Sequence, residues 1–431
     1  MSRLWEVTAA LVAGLAITLA PAQAQTWSYS YTWATGDHAG QSAGTCAYIV
    51  PDNRPLQVPR TLVVDSAVPV GTVLYSWDFN SFLPGFRIQC TGSGVDNSTN
   101  SFTVNGTASN NLIGSNYEIR GMTASEVYSN SNPVWATTLA GIGLRLSVKV
   151  DTDAAEDATD YYKYVTLYRA NGQIQIYQAP RDVVYLWGTG GYPRANSRIT
   201  TYQSGISYPV RHSIPNAEAG FSVKAELVKT ADTVQYGSLG LAGNPVATWS
   251  TTAVLNPTLP TDFLTGNDIT VVSPSCRLRT TDYTISMGTW AADTMSHMGN
   301  PATGPAVPVG LDLECSGQVA DVQFRFEDTG SAPSTLAEKN VTLYDGGGNK
   351  VDGLEVQMKY DGSRVNIDGT TLTSTGSRGT VRTNTEAVPL YTSTSQAMFT
   401  ANYIQNGAIR VGANNYTGPV SGKVNVWVTY N

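Results

Sequence analysis

The chain has 431 residues, a formal net charge of −7, and only 14% Asp, Glu, Lys and Arg. That length holds two ordinary domains or one large one. The acidic balance, with no basic stripe, excludes phosphate-backbone binding as the main task. Abundant Ser, Thr, Asn, Gly and Tyr suits a β-rich extracellular surface that is polar without being highly charged.

Residues 1–24 read as a signal peptide. Arg3 supplies a basic start, Val7 to Ala20 an apolar run, and Ala22-Gln23-Ala24 a small-x-small cleavage site. The run is shorter than the roughly 20 residues that span a bilayer, so removal is expected rather than anchoring. The mature chain is then expected to begin at Gln25 and to be exported. Four aromatics follow at alternate positions, Trp27, Tyr29, Tyr31 and Trp33. A single strand face is expected there, with packing preferred over binding.

Gly40-Gln41-Ser42-Ala43-Gly44 matches G-x-S-x-G. A nucleophile elbow needs a buried strand before the serine and a helix after it. Here the preceding flank is polar and no α/β alternation exists, so chance is the preferred reading and no catalytic residue is assigned. The four cysteines Cys46, Cys90, Cys276 and Cys315 of an exported chain imply disulfides. Three pairings are possible. The sequential one puts a bridge in each half, adding roughly 4 kcal/mol each in the chain-entropy model. A metal site from four thiolates lacks any close C-x-x-C pair.

Helical periodicity is almost absent beyond the leader. Leu144 to Val150 and Phe221 to Leu227 alternate as half-buried strands, as do Val322 to Phe326 and Val424 to Tyr430. Asp151, Asp153, Glu156 and Asp157 lack the glycine and terminal glutamate of a calcium loop. They read as a solvated acidic loop. His38, His212 and His297 show no ligand spacing, and neither metal nor cofactor is assigned. The segment from Tyr185 to Asn196 is rich in aromatics and glycine and reads as a loop, the usual place for recognition on a rigid sandwich. Aromatic faces can pack on sugar rings while polar groups take the hydroxyls. Trp187, Tyr192, Arg194 and Asn196 are therefore the candidate ligand-binding residues, with core covering as the competing reading for Trp187 and Tyr192. A Pro-containing stretch, Asn256 to Thr261, divides a first domain at 25–262 from a second at 269–431.

The second domain resembles the pilin domain of chaperone–usher fimbrial subunits. The apolar strand Ile269 to Val272 precedes Cys276, Tyr283 to Gly288 alternates and ends in glycine, and Val309 to Cys315 carries the second cysteine. Gly418 stands fourteenth from the end and Tyr430 is penultimate, as in that family's closing signature. A large domain placed before a pilin domain resembles two-domain tip adhesins of the type 1 fimbrial lectin family. Ala225 to Thr230 looks like a late strand of such first domains, although glycine arrives only at Gly237.

The resemblance implies an all-β chain of two β-sandwich domains, the C-terminal one an incomplete immunoglobulin-like pilin sandwich lacking its last strand. It implies a periplasmic chaperone, an outer-membrane usher and the donor strand of the next subunit as partners, with the fimbrium at the cell surface as destination. The assembly strand would consist of Gly418, Val424, Val426, Val428, Tyr430 and Asn431, the chaperone holding the Asn431 carboxylate. Attachment to host glycans is the implied function, without catalysis. A fimbrial adaptor without a receptor is the alternative, and a secreted hydrolase the last choice.

Overall fold

The computed structural model describes residues 24–430 apart from short stretches, the longest being 153–160, 202–211, 252–258 and 382–389. The signal-peptide reading of 1–24 falls almost wholly outside the described residues, as do Asn256-Pro257-Thr258, Glu156 and Asp157. Among the described residues every regular element is a strand, except one 3-10 turn at Pro55–Gln57. The chain is all-β, as the alternating pattern requires.

Two hydrophobic cores form, each between two facing sheets. In the first, Ile142–Thr152 pairs along its whole length with Ala217–Lys229. Leu146 and Val148 face Ala225 and Val223 on the inner side, and all four are buried. Arg145 and Glu226, opposite each other on the outer side, form an ion pair at 2.6 Å. Alternation thus sorts one strand pair into a core face and a charged face. The second sheet runs in the order Gly172–Tyr177, Tyr161–Arg169, Arg194–Thr201, Leu112–Met122, Gly243–Thr251 and Leu259–Thr261. Between the sheets Phe86 stacks on Phe221 at 4.8 Å, with the Tyr117 ring edge-on to both.

The disulfides follow the sequential pairing, Cys46 with Cys90 and Cys276 with Cys315. Each pair sits at directly opposed positions of neighbouring antiparallel strands. Ile269–Val272 pairs in parallel with Arg60–Val63 and antiparallel with Gly237–Leu239, and Ile269 and Val271 belong to the first core. The polypeptide therefore leaves the first domain as one of its strands.

A short junction follows. The buried Asp65 carboxylate accepts the Ala67 N–H at 2.9 Å and, across the junction, the Gln318 N–H at 3.0 Å. Close by, the Lys229 ammonium is buried against the carbonyls of Ser66 and Val68. Satisfied polar groups of this kind fix geometry, because leaving any one bare is costly. Replacing Asp65 with Ala is expected to cost roughly 1–3 kcal/mol by leaving those N–H groups unpaired. Chemical denaturation should show a lower midpoint, and limited proteolysis should find new cleavage between Val272 and Ser275. An unchanged midpoint and digestion pattern would remove Asp65 from this role.

Candidate functional site

The second domain is a sandwich with one side left open. Its large sheet orders Cys276–Leu278, Val307–Cys315, Ser393–Val411, Lys350–Tyr360 and Val341–Tyr344, and its small sheet Asp368–Ser374, Val322–Asp328 and Val424–Tyr430. The closing strand Val424–Tyr430 pairs with Val322–Asp328 on one edge and, among the described residues, has no ladder partner on the other. Register puts Val428 beside Phe324 and Val426 beside Phe326. Both phenylalanines are buried, yet Val424, Val426 and Val428 are only half-buried although they pack on the same core.

Across the gap the strand Cys276–Leu278 comes within 8 Å of the closing strand without pairing to it. Its continuation through Tyr283 to Gly288, expected as a strand, has no ladder partner. It nevertheless turns Leu278, Tyr283, Met287 and Trp290 half-buried toward the core, while Ile285 is 36% exposed. The unladdered edge of the closing strand and this unladdered segment thus both leave half-buried apolar side chains of the same core, and we read the space between them as one groove. A strand laid between them would satisfy both edges and bury roughly another 1 kcal/mol per half-exposed side chain. Gly418 precedes the closing strand at a tight bend, where a Cβ would stand 2.8 Å from the Tyr416 hydroxyl. Tyr430 is 40% exposed at the far end of that strand. Asn431 lies outside the described residues.

The four candidate ligand-binding residues of the first domain separate. Trp187, rather than being presented to a ligand, is fully buried, its ring edge-on to Phe221 at 5.9 Å and its backbone N–H donating to the Leu146 carbonyl. The loop expected from 185 to 196 is flanked by two strands, Val184–Leu186 and Arg194–Thr201, and residues 188–191 lie outside the described set. Pairing with Ile142–Thr152 carries the chain at Trp187 inward. Tyr192, Arg194 and Asn196 instead gather on the outer face of the second sheet. Asn196 is 2% exposed there, opposite Thr166 and Asn116 in the neighbouring strands.

Three further residues, Asn116, Glu118 and Arg120, complete that face from the strand Leu112–Met122. Glu118 Oε1 accepts from Asn116 Nδ2 at 3.0 Å and pairs with Arg194 Nε at 3.1 Å. Its Oε2 accepts from Arg120 Nε at 2.9 Å and Nη2 at 2.8 Å. The Arg120 guanidinium also lies over the Tyr192 ring, 4.9 Å from its centre. These three were missed from sequence, although the polar period of two in Asn116-x-Glu118-x-Arg120 is legible as the outer face of a strand.

The aromatic N-terminal strand packs as expected. Tyr31 and Trp33 are buried, and Trp27 stacks on Trp249 at 4.5 Å. The Tyr31 and Tyr48 hydroxyls meet at 2.7 Å, and burial pushes Tyr31 up to about 12. Ser42 lies in a strand with its hydroxyl 3.2 Å from that of Ser93, which offers no base to a nucleophile. Among the described residues no group of three or more His, Cys, Asp or Glu side chains is placed to hold a metal ion.

No protein-family model and no curated protein matches the sequence. Among solved structures the chain is similar to the CupB6 tip adhesin from Pseudomonas aeruginosa, with 13% identity over 89% of this chain and 94% of that one and a TM-score of 0.42. The receptor binding domain of the adhesin MrkD1P of Klebsiella pneumoniae matches at 17% identity over 55% of this chain and 99% of its own, TM-score 0.23. The P pilus rod subunit PapA matches at 17% identity over 37% and 99% respectively, TM-score 0.25. The structures this chain resembles are thus a tip adhesin, the receptor binding domain of an adhesin and a pilus rod subunit.

Burial alone would raise the Glu118 carboxyl, but hydrogen bonds from Asn116 and Arg120 and the charges of both arginines outweigh it and hold Glu118 below its ordinary value. Its contribution to stability is then complete above the unfolded carboxylate value and is lost as pH falls through the lower folded one. A Glu118→Gln variant should be less stable at neutral pH, and its deficit should shrink between about pH 5 and 2 as the parent protonates. Denaturation midpoints across that range measure both curves, and parallel curves would disprove the linkage.

Proposed function

We propose that this chain is the adhesive subunit of a bacterial surface fibre. On this reading it is exported through the periplasm and held by strands that its partners insert into the second domain. The observation that carries the proposal is the groove between the closing strand and the segment from Leu278 to Trp290. Its valines stay half-buried beside the fully buried Phe324 and Phe326. A sandwich that leaves core and backbone open along one side is a poor end state for a free protein, because such edges recruit other strands. Strand addition by a partner resolves it, with main-chain hydrogen bonds along both lips and alternate side chains in the core.

The partners of this mode are a periplasmic chaperone that fills the groove first, an outer-membrane usher, and the donor strand of the neighbouring subunit. Among the described residues the first domain shows no such opening: its core is covered by two broad sheets. It is the part free to meet a receptor, and a host glycan is the proposed class. The face presenting Tyr192 and Arg194, with Asn196 buried beneath them, is its proposed contact. That face combines an aromatic ring with charged and amide groups held on strands, the mixture that carbohydrate hydroxyls and ring C–H faces require.

Produced alone in a periplasm, the chain should aggregate or be degraded. Co-production of a cognate chaperone, or fusion of an alternating apolar strand to its C-terminus, should restore a soluble monomer. Val426→Asp, on the groove side, should weaken strand capture by about tenfold or more. Asn425→Asp, on the outer side, should leave it within about twofold. Capture is measured by co-purification and by the thermal midpoint of the complex. A stable, uncomplemented monomer with protected amides along Val424–Tyr430 would refute the proposal.

A further inference from the structure

We infer that the outer face around Arg120 binds a saccharide that carries a carboxylate, a reading that rests on the receptor-binding role proposed above. Its first support is a charge count. Glu118 is one carboxylate held between two guanidiniums, Arg120 and Arg194, and its side chain is only 11% exposed. The trio retains one positive charge on a chain whose net charge is −7. Glu118 is thereby spent on positioning and presents little negative charge outward.

The second support is the way Arg120 is held. Glu118 takes its Nε and Nη2 through a single oxygen, and the Tyr192 ring lies under its plane. Nη1 and the second Nη2 hydrogen take no part in that contact, and the side chain is 63% exposed. A guanidinium offers its donors in flat pairs, so an edge left after one carboxylate is bound matches a second carboxylate in bidentate fashion. Because the ion pair and the ring already restrain Arg120, less side-chain entropy is lost when a ligand docks. A lysine would offer the same charge without the fork.

The third support is what adjoins it. Arg120 is paired across the sheet with Val246, which is 50% exposed. Val246 is also a wall of an open cleft of about 450 Å³, lined further by Thr138, Leu241, Asn244, Pro245 and Asn267. That volume is of the size that takes a small ligand. Apolar Val246 and Pro245 suit the C–H faces of a sugar, while Thr138, Asn244, Asn267 and exposed backbone suit hydroxyls. Cleft and guanidinium thus share one wall. An acidic residue placed with its carboxylate on Arg120 brings the adjoining sugar to the cleft.

The experiment uses the full chain in complex with its groove-filling strand. Binding is measured to sialylated lactose against lactose, and to uronate-containing oligosaccharides against their carboxyl-reduced forms. At least one acidic probe should bind about tenfold or more tighter than its neutral partner, and less tightly as salt rises. Arg120→Gln and Arg120→Lys should each remove most of that preference, the latter because charge is kept while the fork is lost. Unchanged thermal midpoints check that both variants fold, and Arg87→Gln, remote from the cleft lining, is the charge-matched control. Equal binding of acidic and neutral forms, or an Arg120→Gln variant that keeps the preference, overturns the inference. If neutral glycans alone bind and Tyr192→Ala abolishes this, the receptor reading stands and the carboxylate falls. If no glycan binds, both fall.

Discussion

The second domain is organised around a row of side chains that it cannot cover by itself. Phe324 and Phe326 are buried, the valines one strand further out are only half-buried, and among the described residues no strand pairs with the free edge of Val424–Tyr430. The open side is a matter of backbone as much as of apolar area. An edge strand leaves every second residue's N–H and C=O facing outward, so water or a foreign strand must satisfy them. The facing segment from Arg279 to Trp290 runs beside the gap with its aromatics turned inward. What is missing has the shape of one strand.

The first domain has the opposite character. Its core is continuous from Tyr31 to Val271 and it recruits the exit segment Ile269–Val272 as a strand of its own. Parallel pairing with Arg60–Val63 brings the chain out beside Asp65, where the next domain begins within a few residues. A connection built this way transmits orientation, because strand pairing and a buried carboxylate both resist rotation. The exit strand Ile269–Val272 thus joins the two cores by strand pairing rather than by a loose linker.

Much of this could be read from alternation. Leu144 to Val150 and Phe221 to Leu227 occur as strands with their apolar residues inward, and Val424 to Tyr430 as a strand whose valines turn to the core while Trp427 and Tyr430 stay exposed. Tyr283 to Gly288 alternates just as cleanly and forms no ladder, because alternation records which face meets the core and cannot supply a partner. Trp187 misled for a related reason. Its glycine-rich surroundings suggest a surface loop, but the preceding strand pairs with Ser147 to Lys149 and sends the indole inward. Glu118 and Arg120 carry little signal in the sequence, because two charges at a spacing of two are common. Only the neighbouring strand, remote in sequence, places Arg194 against the same carboxylate.

That last placement bears on how recognition can be precise on a sheet. Arg194 and Glu118 are opposed in register, so strand pairing itself sets their distance. Asn116 stands two residues along and faces the same way, and its amide fills the remaining side of the carboxylate. Each group is thereby fixed by backbone geometry before any ligand arrives, whereas a loop would have to be ordered on binding. Tyr192 lies just before the strand Arg194–Thr201 and brings an aromatic plane under Arg120. The ion pair restrains one edge of the Arg120 guanidinium and the ring one face, while its side chain stays 63% exposed.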